Sequence, residues 1–500
     1  MRIMAPSSIA ILGGGLTGLS AAFHLSRRFP AAQITLLNKD IHFGGWVHSR
    51  RAKITLKDGR ETSVLLEAGP RTLRPNSKGV LELINLLDLS PSLLTVPKSS
   101  PAARNRFLHL PGTKGLLCIP SSPLSILTSG LSPKSSSLHS PLGHILLSAV
   151  VREPFRPWNR PLMIEDESVD EFLSRRFGSE FARIFGSALV HGIYAADSRK
   201  SSVRAAFPSL WDAEERGRGS LVTGFLRPSR ASAIADVNDL PYQLGDVDGQ
   251  MRGVSVYSFS QGIGALVDAL LRELRTRRNV RLVGGVSATG LRMNPRTAQF
   301  EITTSSCETL RATHTVSAVP LPSLKGLLSP KTPLPHLTAN PYSSVTVVNL
   351  VFLASPGHVL HPVGFGYLVP RASSRHAENA ILGCVFDSSS MSTQEAPWSA
   401  DIVKMTAMLR EPVASIPRLV DMLSEQLGVR LPDPLIVRVH DKAHCIPLLR
   451  VGHLQRMQEL SEVLQGEPWS SKLEVIGAGV GGVSVGDCVE AGRRAGRNWA

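Results

Sequence analysis

The run Ser8–Asn38, SIAILGGGLTGLSAAFHLSRRFPAAQITLLN, decides the fold. A short apolar strand ends in a turn carrying Gly13, Gly14, Gly15 and Gly18, and a helix follows in which Leu16, Leu19, Ala22, Phe23 and Leu25 recur at helical spacing. QITLL then supplies a second strand, which completes a βαβ unit of about thirty residues. Glycines at G-x-G-x-x-G spacing permit the tight turn and let a pyrophosphate approach the backbone, while the helix start offers free N–H groups. The pattern predicts dinucleotide binding by Gly13 to Gly18, with Leu16 and Thr17 in the first helical turn.

One position departs from the pattern. After the second strand, where an acid ordinarily accepts from the ribose hydroxyls, the chain has Asn38. An amide oxygen accepts one such bond without the charge that strengthens it, at an expected loss of about 1 kcal/mol. On this reading Asn38→Glu tightens the cofactor. Next come Gly44-Gly45-Trp46 and then EAGPRTLRP (Glu67 to Pro75). Near the other end, LEVIGAGVGGVSVGDCVEAGRRAG repeats the strand, glycine turn and helix order. Two such turns so far apart imply a nucleotide domain assembled from distant segments, with other domains inserted between. A flavin dinucleotide suits this set better than a nicotinamide one.

The 500 residues allow two to four domains, and 42% hydrophobic against 19% charged residues is ordinary for a globular chain. Fifty-five Lys and Arg against forty Asp and Glu give a net +15, so an anionic partner is expected. Without zinc-finger spacing, an RNP-like motif or a long basic arm, nucleic acid is not favoured. Cys118, Cys307, Cys384, Cys445 and Cys488 are far apart, which argues against structural zinc and for reduced, mostly buried thiols. No run reaches the roughly 18 apolar residues that span a bilayer. MRIMAPSS before the first strand is too short for a signal peptide, so no cleavable presequence is expected.

Between about 110 and 150 the composition turns to Ser, Pro, Leu and Gly, which reads either as an irregular surface insertion or as an interfacial segment dipping into lipid. Helical periodicity returns from about 167, where Val169, Phe172, Leu173, Phe177 and Phe181 can share one face. A further helix is expected in ALVDALLRELRTRR, and strands in VRLVGG, AQFEITT and HTVSAVP.

GGGLTGL, FGGW, EAGPRTLRP, PAARNRF, HGIYAADSRKSSVRAAFPSLWDAE, GFGYLVP, HCIPLLRVGH and VSVGDCVEAGR run in order along nearly the whole chain. Together they resemble the protoporphyrinogen oxidase family, within the FAD-dependent amine oxidases and phytoene desaturases. The resemblance implies an α/β fold with a Rossmann-like FAD domain (1–80, 251–320 and 466–500), an α+β substrate domain on a mixed sheet (81–109, 226–250 and 321–465) and a helical membrane-binding domain (110–225). It implies oxidation of protoporphyrinogen IX to protoporphyrin IX by FAD with O2 as acceptor and H2O2 released, the penultimate step of haem biosynthesis. It also implies a peripheral place on the mitochondrial inner membrane facing the intermembrane space, ferrochelatase as the next enzyme, and a homodimer.

Carried over by position, FAD contacts are Gly13 to Gly18, Asn38 at the ribose, Trp46, and Gly69, Pro70, Arg71 and Thr72 near the isoalloxazine. Ala288 falls on the adenine side, and Ala478, Val483, Ser484 and Val485 close over the flavin. Arg106 of NRF holds a propionate, as a guanidinium fork does well, while Phe365, Gly366, Leu368 and Met408 line the macrocycle. Each has a plainer alternative: a surface arginine at 106, strand core at Phe365 and Leu368, helix core at Met408, a turn cap at Arg71. His191 is the histidine to test, and no side chain is assigned as catalytic base. Val480 in GAGVGG departs from the aromatic residue common in the family. A related amine oxidase or desaturase, and a catalytically silent FAD-fold scaffold, stay open as alternatives.

Overall fold

Ile9 to Leu12 are buried on both faces, as a strand in the middle of a parallel sheet must be. In the computed structural model, which describes residues 5–55, 59, 61–119, 141–161, 163–227, 240–355, 357–372, 381–395 and 401–499, this strand, β1 (Ser8–Leu12), lies between two neighbours. On one side is β2 (Gln33–Asn38); on the other is His314–Ser317, and the sheet is completed by Leu473–Val475 beyond the latter and Val280–Gly284 beyond the former. All four pairings are parallel. The sheet thus draws strands from three distant parts of the chain. Helix α1 (Leu16–Arg28) crosses between β1 and β2 and is buried from Leu16 to Ser26. It packs against helices Gly264–Thr276 and Val485–Arg494, and Ser20 Oγ donates to Val489 O at 2.8 Å.

A second, larger sheet is mixed. Its order is Ile436–Pro447, Tyr342–Leu353, Ile402–Leu409, Ile381–Val385, Gly366–Leu368, Arg106–Leu108 and Leu117–Ile119, antiparallel except where Gly366–Leu368 runs parallel to Arg106–Leu108. Tyr367 and its neighbours bury one face against helix Ile416–Leu427, where Tyr367 Oη donates to Gln426 Oε1 at 2.5 Å.

The helical stretch after 167 differs from the continuous periodicity expected. Val169–Phe177 starts with a full capping box, Ser168 with Glu171, and ends at Gly178, whose φ of +103° breaks the run. A π-helical turn, Ala182–Gly186, follows before Ser187–Tyr194. Phe177 and Phe181 still stack at 4.6 Å between centroids, across the break. Glu153, Glu167 and Glu214 with Arg160, Arg175 and Arg176 form a buried ion network beneath these helices. Most of the Ser/Pro-rich stretch, residues 120–140, lies outside the described residues. The five cysteines are free, but the expectation of mostly buried thiols needs correcting: Cys118 and Cys307 are exposed, Cys445 and Cys488 half-buried, and only Cys384 is fully buried. Among the described residues no helix is long and apolar enough to cross a membrane.

Candidate active site

The start of α1 is the focus of three glycine turns. Gly13 adopts φ +102°, which an L side chain rarely takes up, and its N–H donates to Leu37 O at 2.9 Å. Gly44 N–H donates to Gly14 O at 2.8 Å, which sets the second turn against the first, and Gly15 and Gly44 form a parallel bridge. Gly69 follows closely, since any side chain there would strike Trp46 O. The C-terminal turn comes up on the remaining side, with Gly477 beside Thr17. Gly13 to Gly18, Gly44 to Trp46, Gly69 and the loop containing Ala478 therefore gather at one helix terminus, although they span the length of the chain.

Asn38 occupies the place between the first two turns, and all its hydrogen bonds there go to the chain itself. Its Oδ1 accepts from Gly14 N–H at 3.1 Å, and Nδ2 donates to Asp40 O and His42 O, both at 2.8 Å. It is buried. The amide is a clasp that closes the loop 38–42 and ties it to the glycine turn. A carboxylate could keep the first bond but not the other two, because it has no N–H. The geometry therefore assigns Asn38 a role that the reading of it as a weakened acid left out.

Ala288 begins strand Ala288–Asn294, two residues past Val286, whose N–H donates to Asn38 O at 3.0 Å; this places it at the edge of the same loop. Trp46 is exposed, with the Lys442 ammonium 5.5 Å from its ring centre. Ser484 caps helix Val485–Arg494 in a capping box with Asp487. Val485 packs on the core of the parallel sheet, whereas Val483 packs toward the helical region with Leu448 and Leu449. His453 Nε2 lies 2.9 Å from Val480 O and so steadies the C-terminal turn from behind.

On the mixed sheet, Arg106 lies over the ring of Phe365 at 6.0 Å, and Phe365 N–H donates to Asn105 O at 2.9 Å. Partial desolvation, and then the charge of Arg74, hold the Arg106 guanidinium below its usual range. Arg106 is solvent-accessible and has no acid partner among the described residues. Leu368 pairs with Gly383 on one side, and Gly383 with Met408 on the other. The two larger side chains flank a residue that has none, and Leu368 leans over it, 3.0 Å from where a Cβ would stand. Gly383 escaped the sequence reading; a glycine inside the apolar run ILGCV was the available sign. Met408 packs with Val345, Val347 and Leu382, and Leu368 with Leu108, Ile184 and Ala188. Gly366 takes φ +144° against Cys384 O, so its part is to let two strands meet. His191 Nδ1 lies 2.9 Å from Val369 O, and burial lowers its pKa. It is neutral and donates to that carbonyl, which ties a helix to the sheet.

Arg71 is buried 3.5 Å from Asp387, yet its Nε and Nη2 make no hydrogen bond among the described residues. In front of α1, a Cβ on Gly15 would meet only Gly45 Cα, at 3.9 Å, and the helix start has no side-chain cap. An uncapped helix start with open space before it fits a pyrophosphate, and an unsatisfied buried guanidinium fits a polar ring edge. Such a cradle beside an apolar sheet defines an oxidoreductase that uses a flavin dinucleotide.

Comparison with known proteins agrees. The flavin containing amine oxidoreductase family matches residues 16–497. A protoporphyrinogen oxidase of Schizosaccharomyces pombe is 30% identical, over 99% of this chain and 98% of its own. A coproporphyrinogen III oxidase of Bacillus subtilis is 25% identical, over 97% and 96% respectively. The fold is shared with a crystal structure from Exiguobacterium sp. 255-15, provisionally described as a protoporphyrinogen oxidase, at a TM-score of 0.70 with 22% identity over 98% of each chain. The chain belongs to the flavin containing amine oxidoreductases and, among them, to the protoporphyrinogen oxidase family. Its cofactor is FAD.

Proposed function

We propose that this chain oxidises protoporphyrinogen IX to protoporphyrin IX and returns its electrons to O2. The observation that carries this reading is Arg106: a guanidinium with no acid partner among the described residues, set over Phe365 at the edge of the apolar row Leu368, Gly383 and Met408. A flat, apolar macrocycle with carboxylate arms matches that surface, because the row buries the ring while the fork takes a carboxylate in two parallel bonds. Bound FAD supplies hydride acceptance. The chain's own part is to hold the ring against it, to keep water away with Leu368 and Met408, and to fix the carboxylate so that the reacting carbon stays in one place. No side chain at the site is assigned as a base.

The test is aerobic turnover of protoporphyrinogen IX by FAD-loaded protein, read by porphyrin fluorescence and peroxide, with Arg106→Ala beside the parent. A charged hydrogen bond of about 1.5–3 kcal/mol predicts a KM raised roughly ten- to a hundredfold, with kcat changed much less. Porphyrin formation no faster than the spontaneous rate would sink the proposal. A second reading, coproporphyrinogen III as substrate, takes support from the Bacillus relative and from Arg74 close to Arg106; a higher kcat/KM for that substrate decides for it.

The same proposal places the chain on an anionic membrane, the mitochondrial inner membrane on its intermembrane-space side, with the domain limits given above. Support comes from an apolar patch on the helical region. Phe155 is 86% and Leu226 80% exposed, with Val151, Trp158 and Phe225 beside them. The two halves are joined because Glu153 accepts from Leu221 N–H and Val222 N–H, and because Trp158 packs on Gly219. Exposed Arg152, Arg218 and Arg227 ring the patch, as anionic lipid requires. Phe155→Ser with Phe225→Ser is expected to abolish sedimentation with cardiolipin vesicles while leaving turnover in detergent intact; undiminished sedimentation counts against this surface.

A further inference from the structure

A cavity of about 330 Å³, lined by Lys200, Ala339, Arg450, Val451 and Arg456, stands apart from every residue of the flavin and porphyrinogen sites. Three cations from two distant stretches of the chain converge on it, and the backbone holds them there. Ser201 and Arg450 form an antiparallel bridge, and Ser202 N–H donates to Leu449 O at 2.8 Å, which fixes Lys200 beside Arg450. Arg456 donates through Nη1 to Val451 O at 2.9 Å and through Nη2 to Arg450 O at 3.1 Å, while its buried Nε has no partner among the described residues. Its side chain is thus preset and not free to swing away.

Two acids, Asp166 and Glu459, offset part of the charge on Arg456, and neither bonds to a cation of the cluster. Asp166 accepts from Gly452 N–H at 2.7 Å and from Ser202 Oγ at 2.8 Å, and Glu459 is paired with His336 at 2.5 Å. Among the described residues none of the three cations has an ion pair. Three cations gathered by the fold around open space, against two acids that pair with none of them, leave a positive excess that a bound anion offsets.

We propose that this cavity binds a phosphate-bearing anion of two or more negative charges, such as a polyphosphate or a terminal phosphomonoester. Guanidinium forks match phosphate oxygens in pairs, Lys200 adds a mobile point charge, and the volume admits more than one phosphate group. The site is independent of the substrate reading above, since none of its residues touches that surface. One link joins it to the cofactor: Arg456 stands on the helix that begins with His453, which is bonded to Val480 O of the C-terminal glycine turn.

Calorimetric titration of the full FAD-loaded chain with inorganic pyrophosphate at low salt tests it. Saturable binding with one equivalent is expected, weakened at least tenfold by Lys200→Ala with Arg450→Ala and unaltered by Arg106→Ala. Both replaced side chains of the double variant are exposed, and the single Arg450→Gln serves if that variant does not fold. A vesicle arm distinguishes the sources. Tighter sedimentation with phosphatidic acid than with phosphatidylglycerol at equal charge, lost in the double variant, assigns a lipid phosphomonoester; equal sedimentation with pyrophosphate still bound assigns a soluble anion. Absence of saturable pyrophosphate binding, or binding that the double variant leaves unchanged, overturns the proposal.

Discussion

At the scale of single residues, Asn38 reverses an expectation. Read as an acid that had lost its charge, it invited Asn38→Glu as an improvement. Placed in the structure, it donates to Asp40 O and His42 O, which a carboxylate cannot do and would repel. Asn38→Asp is expected to lower stability by about 1–3 kcal/mol, the range for leaving buried carbonyls without donors, and to speed loss of FAD on dialysis. Unchanged flavin retention together with an unchanged Tm would show that the clasp is dispensable. The glycines around it were legible in sequence because each answers a local demand of backbone geometry. The amide was not, because its partners are carbonyls of a loop whose shape no periodicity reveals. Gly383 was hidden for a similar reason: its meaning comes from Leu368 and Met408 on neighbouring strands.

Among elements, the helical region shows what pattern can and cannot deliver. Val169, Phe172 and Leu173 lie on the buried face that their spacing predicts, but the break at Gly178 and the π turn after it follow from tertiary packing. Beneath them Arg176 and Glu153 are both fully buried, and Glu153 also accepts from Ser220 Oγ at 2.7 Å and Leu221 N–H at 2.8 Å. One carboxylate thus joins a helix, a turn and the start of Leu221–Leu226. Removing it leaves the buried guanidinium with Glu214 at 3.8 Å as its remaining acid, at a cost of up to about 3–5 kcal/mol. Glu153→Ala should therefore lower the Tm far more than Glu153→Gln, which keeps hydrogen-bond acceptance at that spot, and should open the helical region to protease first. Equal melting of the two variants would mean that hydrogen-bond acceptance at that spot contributes nothing beyond the charge.

For the whole molecule, the parallel sheet was readable because both glycine turns announce its strands; the mixed sheet was not, because two of its seven strands, Arg106–Leu108 and Leu117–Ile119, join the other five, which lie between residues 342 and 447, only where Phe107 and Leu108 pair beside Tyr367 and Leu368. The two halves meet at a buried polar seam. Glu67 accepts from Ser49 Oγ at 2.6 Å and Ile263 N–H at 2.9 Å, Asn349 of the mixed sheet donates to Glu67 O at 3.1 Å, and Lys404 pairs with Glu395. Burial pushes the Glu67 carboxyl up to about 7, against an ordinary 4.5. Between those values the folded chain holds a proton that the unfolded chain has released. The stability this group contributes is thus complete below about pH 4.5 and is lost as pH rises to about 7. Glu67→Gln should flatten that part of the stability profile, measured by urea unfolding at successive pH values; an identical slope in the variant would exclude Glu67 as its source.

The order in which the parallel sheet is laid down has one more consequence. Strand β1 ends at residue 12, yet the far edge of its sheet is residues 473–475. At about 5–20 residues per second, the ribosome needs roughly 20–90 seconds to deliver the second after the first. Until residues 473–475 are made, His314–Ser317 has no strand to pair with on its outer edge. The C-terminal glycine turn that sets Gly477 beside Thr17 is made in the same closing interval, so the cradle around the start of α1 is complete only in the nearly full-length polypeptide.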